Sequence, residues 1–269
     1  MRKKGNTFVI SSLTNEKIKI INSLSQRKYR KKLNLFVAEG LRICREAIDN
    51  GWNIKYLLCD KDNSDDDLLV NLSYEVLNRG GDVLEVTPSI LSKISHKENP
   101  QNVLAVVEQK WNYLPKAMSS EIWVALECVR DPGNLGTILR TIDAVGAKGC
   151  ILIDDCTDPF SYECVRASMG AIFNVSIVSV NSNDFIQWKK ECNFNLIGTS
   201  LNNSSSYIKA SWKLPFVLLM GNEQQGLSDK ILAQCDQLIK IPMLGRSDSL
   251  NLAVSTGVAL YESIRQNPN

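Results

Sequence analysis

The sequence predicts an α/β protein built from two successive sheet-and-helix units. Three observations lead there. From residue 33 onward, short apolar runs alternate with stretches of helical periodicity, the pattern of layered α/β structure. The run LPFVLLMG (214–221) is almost uninterrupted in its apolar character, as expected of a strand covered on both faces of a parallel sheet. Between the two series, WNYLPKAMSS (111–120) has no period and carries Pro115 and a Ser pair, so it reads as a linker between domains at 1–110 and 121–269.

Residues 14–24 (TNEKIKIINSL) place Ile18, Ile21 and Leu24 at helical spacing. The basic stretch SQRKYRKK follows. LNLFVAEG (33–40) is a strand running into a glycine turn, and LRICREAIDNG (41–51) a helix closed by Gly51. IKYLLCD (54–60), DVLEV (82–86) and NVLAVVEQ (102–109) are strands. DLLVNLSYEVLNRGG (67–81) is a helix stopped by two glycines, and PSILSKIS (88–95) a helix opened by Pro88. In the second series EIWVALECV (121–129), GCILID (149–154), VSIVSV (175–180), FNLIGTS (194–200), LPFVLLMG and QLIKIPM (237–243) are strands. LGTILRTIDAVGA (135–147), NDFIQWKKEC (183–192) and LSDKILAQC (227–235) are helices, PFSYECVRASMGAIF (159–173) is mostly helix, and DPGN (131–134) is a turn. The stretch 241–248 reads as a strand end and tight loop with Pro242 and Gly245 as breakers. From Ser249 a helix begins, with Leu250, Ala253, Val254, Gly257, Val258, Tyr261 and Ile264 on one face.

The chain is 44% hydrophobic and 22% charged, an ordinary globular composition. A net charge of +2 offers no bulk argument for nucleic acid, but the basic residues are unevenly placed. Arg2, Lys3, Lys4, Lys17, Lys19, Arg27, Lys28, Arg30, Lys31 and Lys32 crowd the amino end, opposed there only by Glu16. Such clustering is the footprint of a phosphate-rich partner. For residues 1–4 a solvated terminus explains the charge equally well. The eight cysteines form no C-x-x-C pair and the single histidine, His96, sits in a polar loop, which argues against a zinc site and against Ser–His or Cys–His catalysis. No signal peptide and no apolar run long enough to span a bilayer is present, so the cysteines are expected reduced and mostly buried in a cytoplasmic protein.

Three polar clusters fall at the carboxyl ends of expected strands, where open parallel sheets bind ligands. The first is VRDPGNLG (129–136), with Arg140 a turn and a half further on. Asn134 can cap the helix there, and Arg140, inside a mostly apolar helix, calls for an anion or carboxylate. The second is GNEQQG (221–226), with Glu223 directly after an apolar strand and a glycine. The third is 241–251, where Ser249 reads as a helix cap in the absence of partners elsewhere. The dinucleotide fingerprint G-x-G-x-x-G, the P-loop and the G-x-S-x-G elbow are all missing.

The ordered set DPGNLGTILRT (131–141), RASMGA (166–171), LLMGNEQQGLS (218–228) and IPMLGRSDSLNLAVSTGVALYE (241–262) closely resembles the SpoU-type (TrmH family) RNA 2′-O-ribose methyltransferases of the SPOUT superfamily. The first domain is similar to the family's amino-terminal RNA-binding extension, itself like certain ribosomal proteins, through KYRKKLNLFVAEG (28–40) and NPQNVLAVV (99–107). The resemblance implies a parallel-sheet domain whose carboxy-terminal segment is threaded into a deep trefoil knot, an exception to unknotted topology. It implies a homodimer with the site near the subunit interface. It implies S-adenosylmethionine as cofactor, held near Thr199, Ser200, Leu219, Gly221, Asn222, Gly226, Ile241, Met243, Ser249 and Leu250. Asn134, Arg140, Glu223, Ser249 and Asn251 are the implied catalytic set. Arg140 would contact the target nucleotide, Glu223 would orient that arginine or accept the hydroxyl proton, and the others would position ribose, phosphate and loop backbone. Lys28, Arg30, Lys31 and Lys32 would grip the phosphates of a structured RNA, ribosomal RNA first and transfer RNA second. No metal is implied. Gln224 stands where many members have glycine, and Leu252 where valine is frequent. A non-catalytic RNA-binding protein keeping the fold is the rival reading; its signature would be loss of Asn134, Arg140 or Glu223, and all three are present.

Overall fold

The computed structural model describes residues 4–61, 66–95, 100–116 and 120–268. Arg2, Lys3, His96 and 117–119 of the expected linker lie outside the described residues. The chain folds as two compact units. One gathers the chain up to Gln109 together with Phe160–Phe173; the other comprises Lys110–Pro159 and the chain from Asn174 onward.

The first unit contains β1 (Thr7–Ile10), α1 (Glu16–Ser23), α2 (Arg27–Leu33), β2 (Leu35–Glu39), α3 (Leu41–Asp49), β3 (Ile54–Asp60), α4 (Asp67–Asn78), β4 (Asp82–Val86), α5 (Pro88–Ser95) and β5 (Val103–Glu108). Its sheet runs β1-β4-β3-β5-β2, with β1, β4 and β3 parallel and β5 antiparallel to both neighbours. Strand β1 has no counterpart in the sequence reading: it is a four-residue edge strand with three exposed positions, too short to carry a period. Ile18, Ile21 and Leu24 do share a face, and pack against Leu58, Leu84, Ile90 and Leu104. The basic stretch is helical as α2, closed by Asn34 in the left-handed conformation.

The expected helix at 159–173 is broken. Helix α7 spans only Tyr162–Ala167, because Met169 (φ 52°) and Gly170 (φ 97°) turn the backbone left-handed before a short 3-10 turn at Ala171–Phe173. The segment contributes Phe160 and Phe173 to an aromatic group with Phe36 and Trp52. The Phe36 and Phe160 ring centroids lie 4.8 Å apart, and the Trp52 indole N–H donates to the Phe173 carbonyl at 2.9 Å, so its one polar atom is satisfied inside the cluster.

The second unit contains β6 (Ile122–Glu127), α6 (Pro132–Ala144), β7 (Gly149–Ile153), β8 (Ser176–Val180), α8 (Ser182–Glu191), β9 (Asn195–Thr199), β10 (Ser205–Ser206), β11 (Phe216–Met220), α9 (Asp229–Leu232), β12 (Gln237–Lys240) and α10 (Leu252–Gln266). All seven strands are parallel, in the order β10-β12-β9-β11-β6-β7-β8. Strand β11 is buried throughout, as its apolar run requires, and sits between β9 and β6. The described part of the linker is tied to this unit: Asn112 exchanges hydrogen bonds with Ile177, and the Trp188 indole donates to the Pro115 carbonyl at 2.8 Å.

Helix α10 buries a different face from the one its large apolar residues predict. Ala253, Thr256, Ala259, Leu260 and Ser263 are inside, while Val254 and Tyr261 are 51% and 58% exposed. The reason is close helix packing on α6 through small residues: a Cβ built on Gly257 would touch Thr141 Cγ2 at 3.8 Å.

Candidate active site at the carboxyl edge of the parallel sheet

Parallel pairing in the order β12-β9-β11-β6 brings the loops that follow these four strands to one edge. The three polar clusters lie in three of those loops, while Thr199 ends β9 and Ser200 opens the fourth.

The loop after β6 begins with Cys128 in the left-handed region (φ 54°). Helix α6 then starts at Pro132, not beyond Asn134, and its cap is Asp131, whose Oδ1 accepts the Asn134 N–H at 2.6 Å. Pro132 at the first helical position is the sequence signal for that start. Asn134 is therefore freed from capping, and its side chain faces across the edge. At α10 the cap is likewise Asn251 and not Ser249: Asn251 Oδ1 accepts the N–H groups of Ala253 and Val254.

These two caps fix a directed chain of hydrogen bonds. Asn251 must turn its oxygen toward the helix, so its Nδ2 donates to Asn134 Oδ1 at 2.9 Å. Asn134 must then present its own Nδ2, which donates to Glu223 Oε1 at 3.2 Å. Glu223 also accepts the backbone N–H groups of Arg130 and Asp131 at 3.3 Å each. Partial burial alone would raise its carboxyl, but the N–H donors around it, with Asn134 the principal side chain among them, hold it below the ordinary value of 4.5.

Two expectations need correcting here. Glu223 makes no bond to Arg140 in this chain; its oxygens accept from Arg130, Asp131, Asn134 and Asn222, and so many donors make it a weak base. Arg140 is not buried in the helix. It projects into solvent and makes no ion pair or hydrogen bond with another described residue, because its position on α6 is off the face packed in the core.

The loop after β11 folds back on itself. Asn222 and Gly226 exchange backbone hydrogen bonds at 3.0 and 2.9 Å. A Cβ on Gly221 would sit 2.0 Å from the Gly226 carbonyl carbon, so glycine is required there. Gly226 (φ +72°) has open space beside it. The Asn222 side chain is consumed by bracing: Nδ2 donates to the Cys128 carbonyl at 2.8 Å, and Oδ1 accepts from Gln224 and Gln225. Thr199 Oγ1 donates to the Leu219 carbonyl at 3.3 Å, joining neighbouring strands. Ile241 and Met243 are half-buried, whereas Ser249 and Leu250 are exposed and Leu244 is 98% exposed. No side chain within 242–250 bonds to a described residue.

In the first unit, Lys28, Lys31 and Lys32 are exposed on α2. Arg30 is not available as they are. It is 6% exposed, and its Nη1 donates to the carbonyls of Leu24 and Ser25 at 2.8 and 2.9 Å. A guanidinium buried on carbonyls at a helix corner is a structural brace, which removes Arg30 from the phosphate-binding candidates.

Asp131 and Ser228 lie within the quoted motifs but without a role of their own there, and Glu127 lies outside them. Glu127 and Ser228 bond to each other across 101 positions, and nothing local in the chain signals such a pair.

The family model described as SpoU rRNA methylase matches residues 121–261, and one for an MRM3-like substrate binding domain matches 15–105. The 23S rRNA (guanosine(2553)-2'-O)-methyltransferase RlmP of Bacillus subtilis is 29% identical, covering 94% of this chain and 97% of its own length. The 23S rRNA (uridine(2479)-2'-O)-methyltransferase of Streptomyces viridochromogenes is 30% identical, covering 90% and 87%. Among solved structures, the AdoMet-bound rRNA methyltransferase from Sinorhizobium meliloti superposes with a TM-score of 0.93 at 42% identity, over 98% of this chain and 99% of that one. The SpoU methyltransferase AviRb from Streptomyces viridochromogenes, in complex with AdoMet, gives 0.83 at 28% identity, over 94% and 98%. With a matching model over more than half its length and relatives aligned end to end, the chain belongs to the SpoU rRNA methylase family.

Proposed function

We propose that this protein is an S-adenosylmethionine-dependent methyltransferase that methylates a ribose 2′-hydroxyl of ribosomal RNA. The observation that carries this reading is the bonded chain Asn251–Asn134–Glu223, which ties three separated family motifs together at the ligand-binding edge of a parallel sheet. Relatives sharing the whole chain act on 23S rRNA, and two solved relatives hold the cofactor.

The residues present suit that cofactor. Half-buried Ile241 and Met243 offer apolar surface, Thr199 and Ser200 offer hydroxyls, and the space beside Gly226 leaves backbone groups unscreened. Leu219, Gly221, Asn222, Ser249 and Leu250 complete the set, with Asn222 acting through the loop shape it enforces. When bound, the cofactor supplies a sulfonium-activated methyl group. The chain's task is to align the hydroxyl with it and let the proton leave. Arg140, whose guanidinium is uncommitted, supplies positive charge beside the phosphate and the developing alkoxide. Asn134, Glu223 and Asn251 hold the loops in register, and Ser249 is free to meet the ligand. Lys28, Lys31 and Lys32 grip RNA phosphates, giving salt-sensitive affinity with little sequence choice.

By the same reading, 1–110 is the RNA-binding domain, 111–120 the linker and 121–269 the methyltransferase domain, with a trefoil knot at its carboxyl end. The protein works in the cytoplasm as a homodimer. Exposed Leu244, Val254 and Tyr261 favour a second copy as their cover. No helix among the described residues is long and apolar enough to cross a membrane.

The test is methyl transfer from labelled S-adenosylmethionine to ribosomal RNA, with alkali-resistant linkages mapped afterwards. Label in one resistant linkage, abolished by Arg140→Ala while RNA binding persists, is expected. Label confined to transfer RNA would move the substrate. RNA binding with no cofactor affinity would favour the non-catalytic alternative.

A further inference from the structure

Glu127 ends strand β6 and is only 4% exposed, yet it forms no ion pair with a described residue. Burying a carboxylate without a cation is costly unless both oxygens find donors. Here one residue supplies both. Ser228 donates its backbone N–H to Oε2 at 2.8 Å and its hydroxyl to Oε1 at 2.6 Å. Ser228 also caps α9, with Oγ accepting from the Ile231 N–H. At the other end of the same loop, Asn222 is tied to the carbonyl of Cys128, the residue next to Glu127. The loop from Gly221 to Ser228 is thus lashed at both ends to two consecutive residues of the neighbouring strand's exit. Neither lash touches the open face beside Gly226. The chemistry selects a carboxylate: two adjacent donors need two acceptors, and an amide would set its NH2 against one of them.

We propose that Glu127 is a positioning residue for cofactor binding, acting through Ser228 to hold the Gly221–Ser228 loop in the shape that receives S-adenosylmethionine. This rests on the methyltransferase reading above. The residue touches no reacting atom, so its loss should weaken cofactor capture and leave the chemistry of the bound state intact.

The experiment uses the full chain with Glu127→Gln, Ser228→Ala and Ser228→Thr. Cofactor affinity is measured by calorimetry, KM is determined separately for cofactor and RNA, and thermal unfolding is recorded. Glu127→Gln and Ser228→Ala should each raise Kd and KM for the cofactor about tenfold, the scale of a lost hydrogen bond to a charged group. kcat at saturating cofactor and KM for RNA should stay within about twofold. The double variant should be no worse than the poorer single, because both remove the same link. Ser228→Thr keeps both donors and should restore wild-type affinity. Unchanged cofactor affinity in folded Ser228→Ala overturns the proposal, as does a fall in kcat and both KM effects together in proportion to lost stability. If the wild-type protein itself binds no S-adenosylmethionine, it is the functional reading that fails.

Discussion

The two sides of the candidate site are built on opposite principles. On the β6 and β11 side, the polar side chains that shape the wall are committed to one another or to backbone. Asp131 caps α6, Asn222 braces two loops, Glu223 accepts from four residues, and Glu127 clasps Ser228. On the side of 242–250, no side chain is bonded to a described residue, and Leu244 and Ser249 stand in solvent. Arg140 belongs with this open side in kind, since it too lacks a partner among the described residues. The contrast separates a preorganised wall, which holds geometry before anything binds, from a set of groups whose partners must come from outside the chain. Preorganisation lowers the ordering cost of binding, while uncommitted groups carry the contacts themselves.

Substitutions should divide along the same line. The largest effect is expected on the open side: Arg140→Ala should cut methyl transfer by about a hundredfold or more, the scale of losing one charge-stabilising group. It should change unfolding free energy by less than about 0.5 kcal/mol, because an exposed unpartnered side chain leaves nothing unsatisfied. Single-turnover rates and a denaturant titration on one preparation read both. A matching loss of stability would place Arg140 on the wrong side of the comparison.

Asn134→Ala strikes the middle of the braced wall. It removes one of the two donors to Glu223 Oε1, which keeps the Asp131 N–H, and takes the acceptor from Asn251 Nδ2. Both activity and stability should fall, the latter by roughly 1–2 kcal/mol for two lost hydrogen bonds near the surface. Ser249→Ala, its open-side counterpart, should shift KM while leaving the denaturation midpoint in place. If the two variants lose stability equally, the distinction between wall and open face disappears.

Helix α2 repeats the contrast on a smaller scale. Lys31→Ala and Lys32→Ala should each weaken RNA binding and flatten its logarithmic salt dependence by about one unit, without changing the melting temperature. Arg30→Ala should do the reverse. It opens the corner where Leu24 and Ser25 lose their donor, so the melting temperature drops while the salt slope of the folded fraction stays near wild type. Filter binding across a salt series, read beside thermal unfolding, distinguishes these outcomes.

Legibility in the sequence followed the same physics. Strands such as β3, β4 and β7 declare themselves because a buried strand needs apolar side chains at adjacent positions, and the chain has few other places for such runs. The motifs of the site were legible as clusters at strand ends. Their internal wiring was not. Whether Asn134 or Asp131 caps α6 depends on where one helical turn begins, although Pro132 marks it. The Glu127–Ser228 clasp joins residues that become neighbours only when β11 is inserted beside β6. The outer face of α10 misled for a different reason. Periodicity reports that Val254, Val258 and Tyr261 want cover, but it does not say that the cover comes from the same chain, and the close approach to α6 selects the small residues instead.

The finest distinction between the two sides is electrostatic. Glu223 has a folded-state carboxyl held below 4.5, its ordinary value, against a burial effect that works the other way. A carboxyl more acidic when folded than when unfolded contributes stability that is fully present above its unfolded pKa. That contribution drains away as pH falls through the folded value. The braced wall should therefore loosen in acid, and the open side, which has no carboxylate held by such donors, should not. Between about pH 5 and pH 3, the wild-type unfolding midpoint should decline more steeply than that of Glu223→Gln, which has no charge to lose. Ser249→Ala should keep the wild-type slope. The effect is small because the carboxylate is partly hydrated and solvent screens it. Superimposable acid limbs for wild type and Glu223→Gln would mean that the donors around Glu223 do not favour its charged form, and the wall would then rest on Asp131, Asn222 and Glu127.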